Sequence, residues 1–89
     1  MQDDRSSIKK KVRGYILENY LFTDDESALA DDTSFLERGI IDSTGIMEVI
    51  AFLQEEFGIE VEDEEMVPEN LDSVDNIAAY VSRKRAKNV

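Results

Sequence analysis

The sequence predicts an all-α fold, a small four-helix bundle of three long helices, one short helix and a long first loop. Three observations carry this. Apolar residues recur at three- and four-residue spacing over three separate stretches. Helix-capping residue types bound two of them, with Gly58 after one and Ser73 before another. The stretch 22–42 lacks such a repeat but carries apolar residues able to pin it across the helices. With 89 residues, the chain reads as one domain, 1–89, near the lower size at which a single core suffices.

The first helix is expected over 5–21, where Ile8, Val12, Tyr15, Ile16 and Tyr20 make one apolar stripe. Asp3 and Asp4 precede it, where negative charge suits a helix N-terminus. The connection 22–42 is long for so small a domain, which points to function. Its expected anchors are Phe35, Leu36, Ile40 and Ile41, with Gly39 in a tight turn before Asp42. The second helix, 43–57, buries Ile46, Val49, Ile50, Leu53 and Phe57 and ends on Gly58. A single short turn is expected over 63–67, limited by Pro68 because the residue before proline avoids helical geometry. The last helix, 73–85, starts on Ser73 and turns Val74, Ile77, Ala78 and Val81 inward. Its basic end complements the helix dipole.

Composition then narrows function. Cysteine and histidine are both absent, which excludes disulfides and thiolate metal sites and removes the commonest general base. The net charge of −11 is segregated. Residues 1–22 carry five basic and three acidic groups, and residues 73–89 four basic groups and Asp75. Residues 23–72 hold seventeen acids against Arg38 alone. Such a segment repels itself, so function rather than folding is expected to maintain it. Nucleic acid and membrane insertion are excluded as roles, and partners with basic patches are favoured. Self-repulsion favours a monomer. The first eleven residues lack an apolar signal core and no apolar run reaches membrane-spanning length, so a cytoplasmic location is expected.

The candidate site is Asp42-Ser43. Ser43 stands where the long loop enters a helix whose first N–H groups lack intrahelical partners and carry partial positive charge. A phosphate on Ser43 Oγ would sit in that field. Asp42 could bind a divalent cation or hold a partner that presents the phosphate donor. Taken alone, however, an Asp-Ser pair at a helix start is more simply a cap.

The surroundings change the reading. The run Phe35-Leu36-Glu37-Arg38-Gly39-Ile40-Ile41-Asp42-Ser43-Thr44-Gly45 leads into an acidic helix ending Glu55-Glu56-Phe57-Gly58. Ile59-Glu60-Val61, Asp63-Glu64-Glu65 and Ile77-Ala78-Ala79-Tyr80-Val81 follow. From Phe35 to Val81 the chain resembles the carrier protein family, which includes acyl, D-alanyl and peptidyl carrier proteins. The resemblance implies an acyl-carrier-protein-like bundle with no catalytic residues of its own. It implies that Ser43 receives 4′-phosphopantetheine from coenzyme A, with Asp42 as the adjacent motif acid. It also implies a thioester cargo on the arm, a phosphopantetheinyl transferase, and downstream acyl-transfer enzymes. The family most often reads Asp-Ser-Leu, whereas Thr44 and Gly45 follow Ser43 here. That variant is similar to D-alanyl carriers and to stand-alone carriers served by dedicated ligases. A separate acyl- or aminoacyl-adenylating ligase is therefore expected, with a short acyl or aminoacyl cargo ahead of a long fatty chain.

Thr44, Met47, Glu48, Ala51 and Glu55 fall on one stripe beside the buried face of helix 43–57. That helix has no Lys or Arg, and Glu55 and Glu56 stand in its last turn, where the dipole disfavours anions. The stripe is the expected docking face, steering enzymes with Arg or Lys clusters around an apolar centre of Met47 and Ala51. No metal site is expected. Both acidic runs fail the calcium-loop pattern, because Leu29 and Glu65 stand at the sixth position, where glycine is required.

Overall fold

A computed structural model describes residues 4–87. Its helices are α1 (Asp4–Ile16), α2 (Ser43–Phe57), α3 (Pro68–Leu71) and α4 (Val74–Lys87), with no strand among the described residues. No described helix is long and apolar enough to cross a membrane. Asp3 and the side chain of Asp4, expected to favour the first helix start, lie outside the described residues, as does the side chain of Lys87.

Ile8, Val12 and Ile16 of α1 are fully buried, as the stripe predicts, against Val49 and Leu53 of α2 and Val74, Ile77, Ala78 and Val81 of α4. The first helix does not run regularly to residue 21. Leu17–Leu21 widens into a π-helical turn, and the N–H groups of Phe22 and Thr23 both close on the Leu17 carbonyl. Such a widening shifts the following side chains around the helix axis and is found mostly at functional positions. Here it lays Tyr20 across the start of α2, with its hydroxyl near the Gly45 carbonyl.

The long connection is pinned by Phe35 and Ile41, as expected, and by Leu29, which is 1% exposed and was not expected. Leu36, expected as an anchor, is instead 46% exposed, while Ile40 is half-buried. Burying a leucine contributes about 1.5–3 kcal/mol, so Leu29 is a substantial anchor. Polar contacts fix the path. The Phe35 N–H donates to the Asp72 carbonyl at 2.8 Å, and the Asp72 carboxylate accepts from the Leu36 N–H at 2.9 Å and from the Ser34 hydroxyl. Upstream, Lys9 lies 2.7 Å from Asp75 and 3.3 Å from Asp31, and Arg13 pairs with Asp31. The turn at Gly39 has φ +68°, a left-handed conformation that glycine adopts without strain.

The short element also differs from expectation. Residues Asp63–Glu65 make one 3₁₀ turn, and Pro68 opens α3 rather than ending a turn over 63–67. Val67 is extended, at φ −126° and ψ 155°, as the residue before proline prefers. Proline then fits the first helical position, where no N–H is needed. The restriction that Pro68 places on Val67 thus stops one element and starts the next.

Candidate functional site

Helix α2 starts on a well-formed cap. Asp42 is extended, and its Oδ1 accepts from the Gly45 N–H at 2.8 Å. The first regular helical bond runs from the Ile46 N–H to the Asp42 carbonyl at 3.0 Å. Ser43 is thus the first helical residue, and the N–H groups of Ser43 and Thr44 precede the first intrahelical donor, Ile46. Its hydroxyl is exposed, on the positive end of a 15-residue helix. Asp42 alone supplies the side-chain cap, so the Ser43 hydroxyl is not needed for it.

Gly45 has a steric reason that its sequence neighbours do not reveal. A Cβ there would lie 2.7 Å from Ile41 Cγ2 and 3.4 Å from both Asp42 Oδ1 and the Tyr20 ring. Glycine lets the buried Ile41 and Tyr20 close onto the helix just behind Ser43. The Tyr20 hydroxyl donates to Glu48 Oε1 at 2.6 Å. Partial burial and then this bond to a carboxylate push the Tyr20 phenol above its ordinary range.

Of the expected docking stripe, Thr44, Met47, Glu48, Ala51 and Glu55 are all exposed on one side of α2, with Met47 56% exposed. Their charges are not equivalent. Glu48 is held by Tyr20, and Glu56 pairs with Lys11 at 3.0 Å, which explains an acid in the last turn. Glu55 points to solvent. The seam between α1 and α2 is closed by Tyr15 stacked on Phe52, with ring centroids 4.1 Å apart.

Beside Ser43 opens a groove of about 260 Å³ between α2 and the segment leading through α3. Its lining is almost wholly apolar: Leu36, Ile46, Met47, Ile50, Met66, Val67, Pro68 and Leu71, with Ser43 and Asp72 at its polar margin. The groove was not legible in the sequence. Leu36 and Met66 gave no signal beyond being apolar residues in acidic surroundings.

The outer wall of the groove is tied to α4. Glu65 accepts from the Glu62 N–H, from the Tyr80 hydroxyl at 2.8 Å and from Lys84 at 3.0 Å. Those three donors, the Glu62 N–H foremost, hold its carboxyl down at about 2. Burial and then the bond to Glu65 raise the Tyr80 phenol. Asn70 adds a second tie by accepting from Arg83 at 3.0 Å. No cluster of three or more acidic residues among those described is placed to hold a metal ion.

An exposed serine oxygen at a helix N-terminus, opening on an apolar groove, fits a phosphodiester-linked arm: the helix end favours the phosphate and the groove a thioester's apolar part. Comparison with known proteins identifies the family. Residues 15–81 match the phosphopantetheine attachment site family. The acyl carrier protein of Akkermansia muciniphila is 35% identical over 78 residues, spanning 88% of this chain and 92% of that protein. The acyl carrier protein of Thermosynechococcus vestitus is 35% identical over 83 residues, spanning 93% of this chain and 98% of its own. The match begins twenty residues before Phe35, where the sequence resemblance was first legible, and so takes in the end of α1 and the whole first loop. The chain belongs to the acyl carrier protein family, whose members are carriers rather than enzymes and bear 4′-phosphopantetheine as their prosthetic group.

Proposed function

We propose that Ser43 Oγ is the attachment atom of the arm and that the carried group is an acyl thioester whose apolar part rests in the groove beside it. The observation that carries this reading is the position of the exposed Ser43 hydroxyl, at the start of α2 and on the margin of the apolar groove. When bound, the arm supplies a thiol for the thioester. The chain's own part is to present an oxygen nucleophile, to stabilise the resulting phosphate with the N-terminus of α2, and to shelter the cargo. The chain supplies no activated base at Ser43: histidine is absent and the Asp42 carboxylate is committed to the Gly45 N–H. A phosphopantetheinyl transferase must therefore provide the base as well as coenzyme A.

The groove favours an acyl tail over an aminoacyl group, because an ammonium placed against Ile46, Ile50 and Leu71 would lose water without gaining partners. Its volume, about 260 Å³, is at the small end for a binding pocket, which favours a short or medium chain. A separate adenylating ligase loads the thiol, and downstream acyl-transfer enzymes dock on Thr44, Met47, Glu48, Ala51 and Glu55 through basic patches. Attachment of the arm consumes coenzyme A and loading of the thiol consumes ATP, which favours a cytoplasmic location.

The test is intact mass after incubation with coenzyme A and a phosphopantetheinyl transferase. One phosphopantetheine should be added to the wild type and none to Ser43→Ala. Addition to a folded Ser43→Ala protein would refute the assignment. Cargo is tested by offering the loaded protein ATP, labelled fatty or amino acids and cell extract. Exclusive recovery of aminoacyl groups on hydroxylamine release would overturn the acyl preference alone.

A further inference from the structure

Two residues on and beside α1 contribute no side chain to the packing of the bundle. Phe22 is 84% exposed and left-handed, at φ 55° and ψ 43°, a conformation that a bulky L-residue rarely adopts. It therefore holds an aromatic ring in water, on a strained backbone, at the end of a π-helical turn. Gly14 stands exposed in the last turn of α1, where glycine weakens a helix, yet an added Cβ would meet nothing within 4 Å. No neighbour in the chain explains its missing side chain.

The two are parts of one surface. A shallow depression is lined by Gly14, Glu18, Phe22, Asp24 and Glu26, with Lys10 the one basic residue in its wall. Lys10, Gly14 and Glu18 also border the groove over the seam between α1 and α2, with Phe52 and Glu56 on its far side. The bare helix at Gly14 is thus common to the depression that holds Phe22 and to the groove that reaches Phe52 and Glu56 of α2. Phe22 is also near the serine end of the molecule. Tyr20, two residues earlier and within about 7 Å along the chain, touches Gly45.

We propose that this surface, with Phe22 as its anchor and Gly14 as its notch, is a second docking site for the phosphopantetheinyl transferase, engaged together with α2. An enzyme acting on Ser43 works at the end of the bundle where Tyr20 meets Gly45, two residues along the chain from Phe22. An enzyme that holds the phosphates of coenzyme A presents Lys and Arg, which complement Glu18, Asp24 and Glu26. An exposed ring entering an apolar pocket inside a charged rim is the usual form of a binding hot spot. The proposal rests on the assignment of Ser43 as attachment site.

The test uses the whole chain, the cell's own transferase and coenzyme A, with carrier concentration varied. Phe22→Asn keeps a residue that tolerates the left-handed backbone but removes the ring. Gly14→Gln adds a side chain at the notch and improves the helix. Each should raise KM at least fivefold with kcat unchanged, and Phe22→Trp should restore KM to near the wild-type value. Gly14→Gln should at the same time raise the melting temperature, so that stability and docking move in opposite directions. KM values within twofold of wild type for both variants would overturn the proposal while Ser43 remains the site. So would a wild-type dimer, seen by sedimentation, that Phe22→Asn dissociates, because the surface would then belong to a second copy. Failure of the Ser43 assignment reads differently: no mass is added to the wild type, or addition survives Ser43→Ala.

Discussion

The Tyr20 hydroxyl donates to Glu48 Oε1 at 2.6 Å, which fastens the end of the first helix to the exposed acidic side of the second. Tyr20→Phe should lower stability by about 0.5–1.5 kcal/mol, measured by urea unfolding at pH 7. The alkaline limb gives a second reading. The phenols of Tyr20 and Tyr80 are raised in the folded state, so the folded protein keeps protons that the unfolded chain releases. Their contribution is present below the ordinary value of 10.0 and is lost as pH rises beyond it. The wild-type unfolding midpoint should fall above pH 10, and fall less steeply in Tyr20→Phe.

Gly45→Ala sets helix propensity against packing. Alanine gains about 1 kcal/mol in a helix, but its Cβ would lie 2.7 Å from Cγ2 of the fully packed Ile41. Overpacking of this kind costs about 1–3 kcal/mol, so the variant should be net destabilised by about 1 kcal/mol. Ile41→Leu removes the β-branch that clashes. The double variant should recover part of the loss, giving a coupling that denaturation of the four proteins would measure.

The two residues of the motif should separate cleanly. Asp42→Ala removes the cap to Gly45 and should cost about 1 kcal/mol of stability. Ser43→Ala leaves that cap intact and should unfold within about 0.5 kcal/mol of wild type, while losing all modification. A larger loss in Ser43→Ala than in Asp42→Ala would show that the hydroxyl, not the carboxylate, caps α2.

Acid should loosen the groove wall first. Glu65 titrates at about 2 in the folded state against an ordinary 4.5, so between these values the unfolded chain binds more protons. Its contribution is complete above pH 4.5 and disappears as pH falls toward 2. Melting temperatures between pH 5 and 2.5 should fall with pH in wild type and fall less in Glu65→Gln. An identical slope in both would show that Glu65 is not the group responsible.

Charge on the docking stripe should act on encounter. Glu55→Lys should slow loading by the ligase mainly in the association step, and raised salt should mimic it in wild type. Glu48→Lys should do the same and in addition break the Tyr20 contact, so it alone should also lower stability.

The parts of this fold that were legible in the sequence are those whose determinants are local. Helix α2 carries its cap in Asp42 and its stop in Gly58, which is left-handed at φ 67°, so both ends could be read directly. Residues positioned by distant partners could not. Leu29 and Leu36 are both single leucines in a polar loop, and only the ties to Asp31 and Asp72 decide which is buried. The π-helical turn depends on the fit of Tyr20 against α2, and the absence of a side chain at Gly45 depends on Ile41 and Tyr20. At the site, Asp42-Ser43 and the exposed stripe were visible. The groove was not, because its walls come from three separate stretches of chain, at Leu36, at 43–50 and at 66–72.

The wall of that groove has a consequence for how cargo comes and goes. A three-residue turn and a four-residue helix are too short to persist alone, and this segment keeps its shape through side-chain bonds to α4 and the Val61 N–H bonded to Gln54. Releasing Glu65 and Asn70 would loosen residues 62–70, while Leu71 keeps the end of α3 in the core. Amide hydrogens of this stretch should therefore exchange by sub-global opening, at rates well above those of Val49, Leu53 and Ile77, which wait for the whole bundle to unfold. If the groove holds the carried group as proposed, such opening would let it enter and leave many times between unfolding events.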